Sequence, residues 1–195
     1  MNKSFLPEVL VIDTCVLISN VLRRLLLRLA EQACFQPAWS EVIGDEWRRN
    51  AARLWGVPEL DIQMQWQELQ HNFPLADQGE LASFKVGLSR SDPKDWHVIA
   101  AARAAKSHFV GATAGIVTRN MKDFNRTELR GYGLTLFDPD ELLVCCWRQY
   151  PDVAAAAFDE IPAFALAPGR ELEPLGVILK RERLFRLNRL YSCAP

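Results

Sequence analysis

Residues 9–12, Val-Leu-Val-Ile, form an unbroken apolar run that stops at Asp13. A strand with one wet face alternates apolar and polar side chains; a short β-branched run without alternation is buried on both faces. Both faces are covered when helices pack on each side. The run therefore predicts a parallel sheet inside an α/β chain and places a carboxylate at the end of its first strand.

The rest of the chain agrees with that frame. Gly115–Thr118 and Leu134–Phe137 read as two more buried strands, and a weakly marked one spans Ala33–Gln36. Between them run helical patterns. Ile18, Val21, Leu22, Leu25 and Leu29 share one face, with Arg23, Arg24 and Arg28 off it. Ser40 is an N-cap for a helix carrying Ile43, Trp47, Ala51 and Leu54, which Gly56 and Pro58 stop. A further helix over 58–73 has the stripe Ile62, Trp66, Leu69 and Phe73, and Leu81, Phe84 and Leu88 mark a short one. Asp92-Pro93 opens a strong helix through Lys106, and Asp138-Pro139 another to about Tyr150. Strands alternating with helices predict a mainly parallel central sheet.

Beyond Tyr150 the composition changes. Residues 151–169 are rich in Ala and Pro, and residues 176–195 carry Lys180, Arg181, Arg183, Arg186 and Arg189 against Glu182 alone. Residues 146–195 are expected to be a helical C-terminal extension of a domain spanning 8–145. A chain of 195 residues can bury about 70% of its unfolded surface, so it needs neither disulfide nor structural zinc. Net charge is −1, which excludes a uniformly basic coat for nucleic acid but not a local patch. The longest apolar stretch is about nine residues, where a membrane span needs about 20. The first residues hold no apolar core of signal-peptide length. The cysteines, Cys15, Cys34, Cys145, Cys146 and Cys193, are odd in number and form no Cys-x-x-Cys pair. Reduced thiols in a cytoplasmic protein are expected.

Open α/β sheets carry their sites outside the carboxyl ends of the strands. Asp13 follows the first strand, and Asp123 lies in the loop five residues past Thr118. Asp95 is in the first turn of the Asp92-Pro93 helix. Glu46 is at the edge of the buried face of its helix, beside Trp47. Each has an ordinary reading: a strand end, a capping box for Asp95 with Asp92, a solvated acid for Glu46, a turn residue for Asp123. Asp45 and Asp92 are assigned to surface and capping roles. Jointly, carboxylates converging on one cleft repel and hold one another partly protonated, a penalty that a hard divalent cation removes. Mg²⁺ and Mn²⁺ take such oxygen ligands, several waters and a phosphate-bearing substrate. The expected chemistry is metal-assisted phosphodiester hydrolysis.

These segments resemble the PIN-domain ribonuclease family. Val-Leu-Val-Ile-Asp13-Thr14-Cys15-Val16-Leu17 is similar to its opening strand and first acid, and Ser40-x5-Glu46 to its second acid on a helix. Asp92-Pro-Lys-Asp95-Trp-His-Val-Ile-Ala-Ala-Ala102 is similar to its third-acid helix. Ile-Val-Thr118-Arg-Asn120-Met-Lys-Asp123-Phe124 is similar to the segment that closes its site. The four follow in order over roughly residues 8–143. The resemblance implies a three-layer α/β/α fold and an Mg²⁺- or Mn²⁺-dependent endoribonuclease. It further implies a VapC-like toxin with a cognate antitoxin as partner, and a homodimer is a further candidate. By position, Asp13, Glu46, Asp95 and Asp123 would be catalytic, with Asp13, Asp95 and Asp123 on the metal. Thr118 and Asn120 would order the loop, with Asn120 and Asp123 as alternative ligands there. Asp45, adjacent to Glu46, is an alternative second acid.

Other classes need other residues. A haloacid-dehalogenase-like phosphatase wants a second Asp two residues after the first, where this chain has Cys15. A receiver domain fails on spacing, and Walker and dinucleotide glycine patterns are absent. His97 reads as a helix-surface or core residue, and no histidine forms a triad with a serine. A non-catalytic RNA- or protein-binding module on the same fold is the alternative, and the acids at all four positions argue against it. The basic segment, above all Arg181, Arg183 and Arg186, is expected to guide RNA, with Arg23, Arg24 and Arg28 as a competing patch. The stripe Ile62/Trp66/Leu69/Phe73 is either core or an antitoxin-facing surface.

Overall fold

The computed structural model describes residues 5–166, 169 and 171–192. Cys193 lies outside them. The chain starts with β1 (Val9–Ile12), the short α1 (Thr14–Leu17), α2 (Asn20–Glu31) and β2 (Gln36–Ala38). Then come α3 (Glu41–Trp55), α4 (Glu59–Asn72) and α5 (Ala82–Lys85). One 3₁₀ turn over Pro93–Asp95 leads into α6 (Trp96–His108). After β3 (Ala114–Val117), a second 3₁₀ turn (Met121–Asp123) precedes α7 (Arg126–Gly131) and β4 (Leu134–Phe137). The chain finishes with α8 (Pro139–Gln149), α9 (Pro151–Asp159), α10 (Ile161–Ala165), α11 (Leu175–Arg181) and α12 (Phe185–Ser192).

The four strands pair in parallel in the order β2-β1-β3-β4. Starting from β1, the chain moves one way to β2, then back past β1 to β3 and on to β4. Right-handed crossovers put helices of opposite travel on opposite faces. The fold is thus a three-layer α/β/α sandwich, with α6 lying along β1, β2 and β3. All four residues of β1 and all four of β3 are buried, as an apolar run without alternation requires. The second strand begins three residues later than the pattern suggested, because Cys34 and Phe35 pack into the core before pairing begins at Gln36.

The helix signals behave as their chemistry dictates. Ser40 accepts from Ile43 N and starts α3; Gly56 ends it in the left-handed region at φ 64°. Asp92 caps the turn at Lys94 N, and Asp138 caps α8 at Glu141 N. Helices α3 and α4 touch at Gly44, where a Cβ would lie 2.3 Å from the Trp66 ring. Ile62, Trp66 and Phe73 are buried, and Leu69 packs against the same core, so this stripe is core and offers no partner-facing surface.

The basic patch on α2 is absorbed in part. Arg23, only 8% exposed, donates to Leu17 O at 3.2 Å and lies 4.8 Å from the centre of the Trp55 ring. Arg24 stacks over Phe164, and Arg28 pairs with Glu160 at 2.9 Å. Guanidinium stems cover apolar surface while their heads find partners. Of the competing patch, Arg23 is therefore buried, while Arg24 stays exposed and Arg28 is partly exposed in its ion pair. The same contacts fasten α9 and α10 to α2, while α12 packs on α8. Among the described residues, Cys15, Cys34 and Cys146 are free thiols. No helix among the described residues is long and apolar enough to cross a membrane.

Candidate active site

The strand order reverses between β1 and β3, which leaves a crevice at their carboxyl ends. Asp13 and Thr118 are the first residues past those two strands. Backbone pairing continues one step further there, with Asp13 N donating to Val117 O at 3.1 Å. This holds the two side chains face to face. Thr118 Oγ1 donates to Asp13 Oδ2 at 2.6 Å, and the Cys15 thiol donates to the same oxygen at 3.0 Å. Asp13 is 5% exposed. Burial and the Asp13 charge push the Cys15 thiol up to about 12, so it stays a protonated donor.

Thr118 also receives a bond from Asn120 N at 2.9 Å, which fixes the loop's exit from β3. Asn120 Nδ2 then donates to Asp123 Oδ2 at 2.5 Å. The backbone of that loop meets the other acid-bearing segment, since Asp92 N donates to Asp123 O at 2.9 Å. Asp95 stands at the start of α6, and its side chain caps nothing. The capping-box reading of Asp95 therefore fails, and its carboxylate is left to the cleft. Burial, then the charges of Asp13 and Asp123, push its pKa up to about 6.

Glu46 approaches from α3. Its Oε2 accepts from Thr14 Oγ1 at 3.1 Å and lies 3.4 Å from His97 Nε2. His97 Nδ1 is 2.8 Å from Lys94 O; a carbonyl only accepts, so that nitrogen carries a proton. Nε2 then faces a carboxylate and, among the described residues, is a buried side-chain nitrogen without a hydrogen bond, so its contact with Glu46 is one of charge. Burial works against the imidazolium, yet Glu46 outweighs it and raises the His97 pKa. His97 in turn holds Glu46 below its ordinary value, helped by Thr14. Asp45 points away, exposed and paired with Arg48. Of the two adjacent acids, Glu46 is the one that lines the cleft.

Asp13, Glu46, Asp95 and Asn120 line one cleft of about 240 Å³, with Thr14 and Cys15 in its wall. Asp123 stands behind Asn120 and does not line it. Among the described residues, no group of three or more His, Cys, Asp or Glu side chains is placed to hold a metal ion. The donors facing the cleft are nonetheless hard oxygens, and burial, with the charges of Asp13 and Asp123, raises the Asp95 pKa. That donor set suits Mg²⁺, which is held by one or two carboxylates and keeps several waters.

Thr14, Cys15 and His97 are members of the site that the sequence reading did not assign. Thr14 and Cys15 adjoin Asp13, which was a usable signal. Nothing local pairs His97 with Glu46, 51 positions earlier. The C-terminal arginines 181, 183 and 186 stand outside the acid cleft.

A family model described as the PIN domain matches residues 9–122, more than half of the chain. The chain belongs to the PIN-domain family. PIN domains are typically nucleases and generally use divalent metal ions. The matched span includes Asp13, Glu46, Asp95, Thr118 and Asn120 and ends one residue before Asp123. No curated protein and no solved structure matches the chain.

Proposed function

We propose that this protein is a metal-dependent endoribonuclease, the toxin of a bacterial toxin–antitoxin pair, with residues 8–145 as its nuclease unit and 146–195 as an extension. The observation that carries the nuclease reading is the convergence of Asp13, Glu46, Asp95 and Asn120 on one cleft at the carboxyl ends of β1 and β3. Asp13 and Asp95 would hold Mg²⁺ or Mn²⁺, with Asn120 or Asp123 completing the oxygen donors. When bound, such a cation neutralises phosphate charge and lowers the pKa of coordinated water.

The chain's own residues do the rest. Thr118 and Cys15 hold Asp13 in one orientation, so its remaining oxygen faces the cleft. Glu46, kept ionised by His97, orients a water for attack at phosphorus. Hydrolysis forms one P–O bond to that water, which gives up a proton to Glu46, and breaks one to the leaving ribose oxygen, which takes up a proton from solvent. With a pKa of about 6, Asp95 exchanges protons near neutrality in the cation-free cleft.

A labelled RNA panel tests this directly. Cleavage with Mg²⁺ or Mn²⁺ that EDTA abolishes is expected; cleavage indifferent to EDTA overturns the metal assignment. Expression without a partner is expected to arrest growth of a bacterial host. Undisturbed growth with soluble wild-type protein overturns the toxin reading and leaves the nuclease reading standing.

A further inference from the structure

The acid cleft opens onto a longer depression. Ile18 and Leu54 line both the cleft and a second hollow, which reaches Arg119, Arg181 and Glu182. Those three residues also line a third hollow of about 560 Å³ between the start of α8 and the turn joining α11 to α12. Shared lining residues show that the three hollows adjoin as a track from Asp13 and Asp95 to Phe185.

The chemistry of the far end is specific. Arg119, Arg181, Arg183 and Arg186 line it. Its acids are already engaged. Glu182 accepts from Arg119 at 2.6 Å and from Ser19 at 2.8 Å, and Asp140 accepts from the backbone N–H groups of Arg186 and Leu187. Asp138 caps α8 and stands 3.6 Å from Arg186. Arg183, held at φ 62° at the top of the turn, has no ion pair among the described residues. Beside it the Phe185 ring is 56% exposed, while its neighbours Leu184 and Leu187 are buried. An exposed aromatic ring among guanidinium groups is the arrangement that stacks an unpaired base and holds its phosphates.

We propose that this groove binds single-stranded RNA and feeds it to the acid cleft, with Phe185 stacking on a base and Arg183 and Arg186 holding the backbone. The proposal rests on the nuclease reading of the cleft. Bases within a duplex are stacked on one another and cannot lie on Phe185, so the groove selects single strands.

The test uses the full chain carrying Asp13→Asn, in EDTA, with a fluorescent RNA of about ten nucleotides. Anisotropy is read for the single strand and for its duplex across several salt concentrations. The single strand is expected to bind more tightly. Phe185→Ala weakens it roughly tenfold with an unchanged salt slope, and Phe185→Trp restores it. Arg183→Asn keeps a residue that tolerates the left-handed backbone and flattens the salt slope by about 0.7 if one phosphate contact is lost. Variants that are folded by circular dichroism and bind like their parent at every salt overturn the proposal and leave the groove to a protein partner. Duplex bound as tightly as single strand overturns the selectivity. Metal-dependent cleavage of the same RNA by the wild type separates the two failures: if cleavage persists, only the groove assignment falls. If the wild type neither binds nor cleaves RNA, the nuclease reading falls with it.

Discussion

Asp95 is the acid whose surroundings most oppose its charge. It is half-buried and lies within the field of Asp13 and Asp123, so the folded state holds its proton up to about pH 6. An unfolded aspartate releases it near pH 4. A folded pKa above the unfolded one stabilises the protein fully below the unfolded value, and that contribution is lost as pH rises through about 6. In EDTA, Asp95→Asn should therefore raise the melting temperature above pH 6, with the gain fading towards pH 4. Thermal melts of both proteins from pH 4.5 to 8 check this; a gain independent of pH would contradict the repulsion. His97 and Glu46 behave oppositely, since each stabilises the charged form of the other.

At the scale of elements, the loops that carry the acids are tied down by a residue that no local pattern marks. Glu128 of α7 is buried, and its carboxylate accepts from Ser89 N, Arg90 N, Ser91 N and Ser91 Oγ. Ser91 Oγ in turn receives Asn125 N at 2.9 Å, so one cluster joins the segment before Asp92 to the segment after Asp123. Burial opposes the Glu128 charge, but these donors outweigh it and lower its pKa. Its contribution is present above the ordinary glutamate value and is lost as pH falls through the lowered one. Glu128→Ala leaves several donors unpaired and is expected to cost about 3 kcal/mol, measured by urea unfolding at pH 7. A loss below about 0.5 kcal/mol would mean that the loops hold without it.

The same scale explains what could be read in advance. Strands β1, β3 and β4 and the capped helices α3 and α8 were legible because apolar runs and Ser40 or Asp138-Pro139 act locally. Asp13 and Asp95 were legible because they lie at a strand end and a helix start, and Glu46 because it sits at the edge of its helix's buried face. Arg23 was misplaced because its burial depends on Trp47 and Trp55 from another helix. The His97–Glu46 contact and the Glu128 cluster join distant positions that no periodicity links.

For the whole molecule, the C-terminal helices are joined to the loop leaving β3. Arg119 lies between Thr118 and Asn120, and it binds Glu182, which also accepts from Ser19 at the start of α2. Glu182 is mostly buried there while Arg119 stays exposed, so losing Glu182 leaves the guanidinium in water and removes the tie to Ser19. Glu182→Ala is expected to lower stability by about 1 kcal/mol and to raise KM for RNA more than it lowers kcat, because it loosens the track rather than the acids. Urea unfolding and steady-state cleavage together check it; unchanged KM and stability would show that the extension is not coupled to the site.

The central claim is that the carboxylates gathered at the ends of β1 and β3 perform metal-dependent RNA cleavage. The most direct measurement is the cleavage rate of a labelled RNA by the wild type, Asp13→Asn and Asp95→Asn at saturating Mg²⁺ or Mn²⁺, with folding verified for each. Each substitution keeps the side-chain shape and removes one ligand charge. The predicted result is a loss of at least about a hundredfold in both variants, corresponding to several kcal/mol of transition-state stabilisation. Cleavage at the wild-type rate by both folded variants would contradict the account.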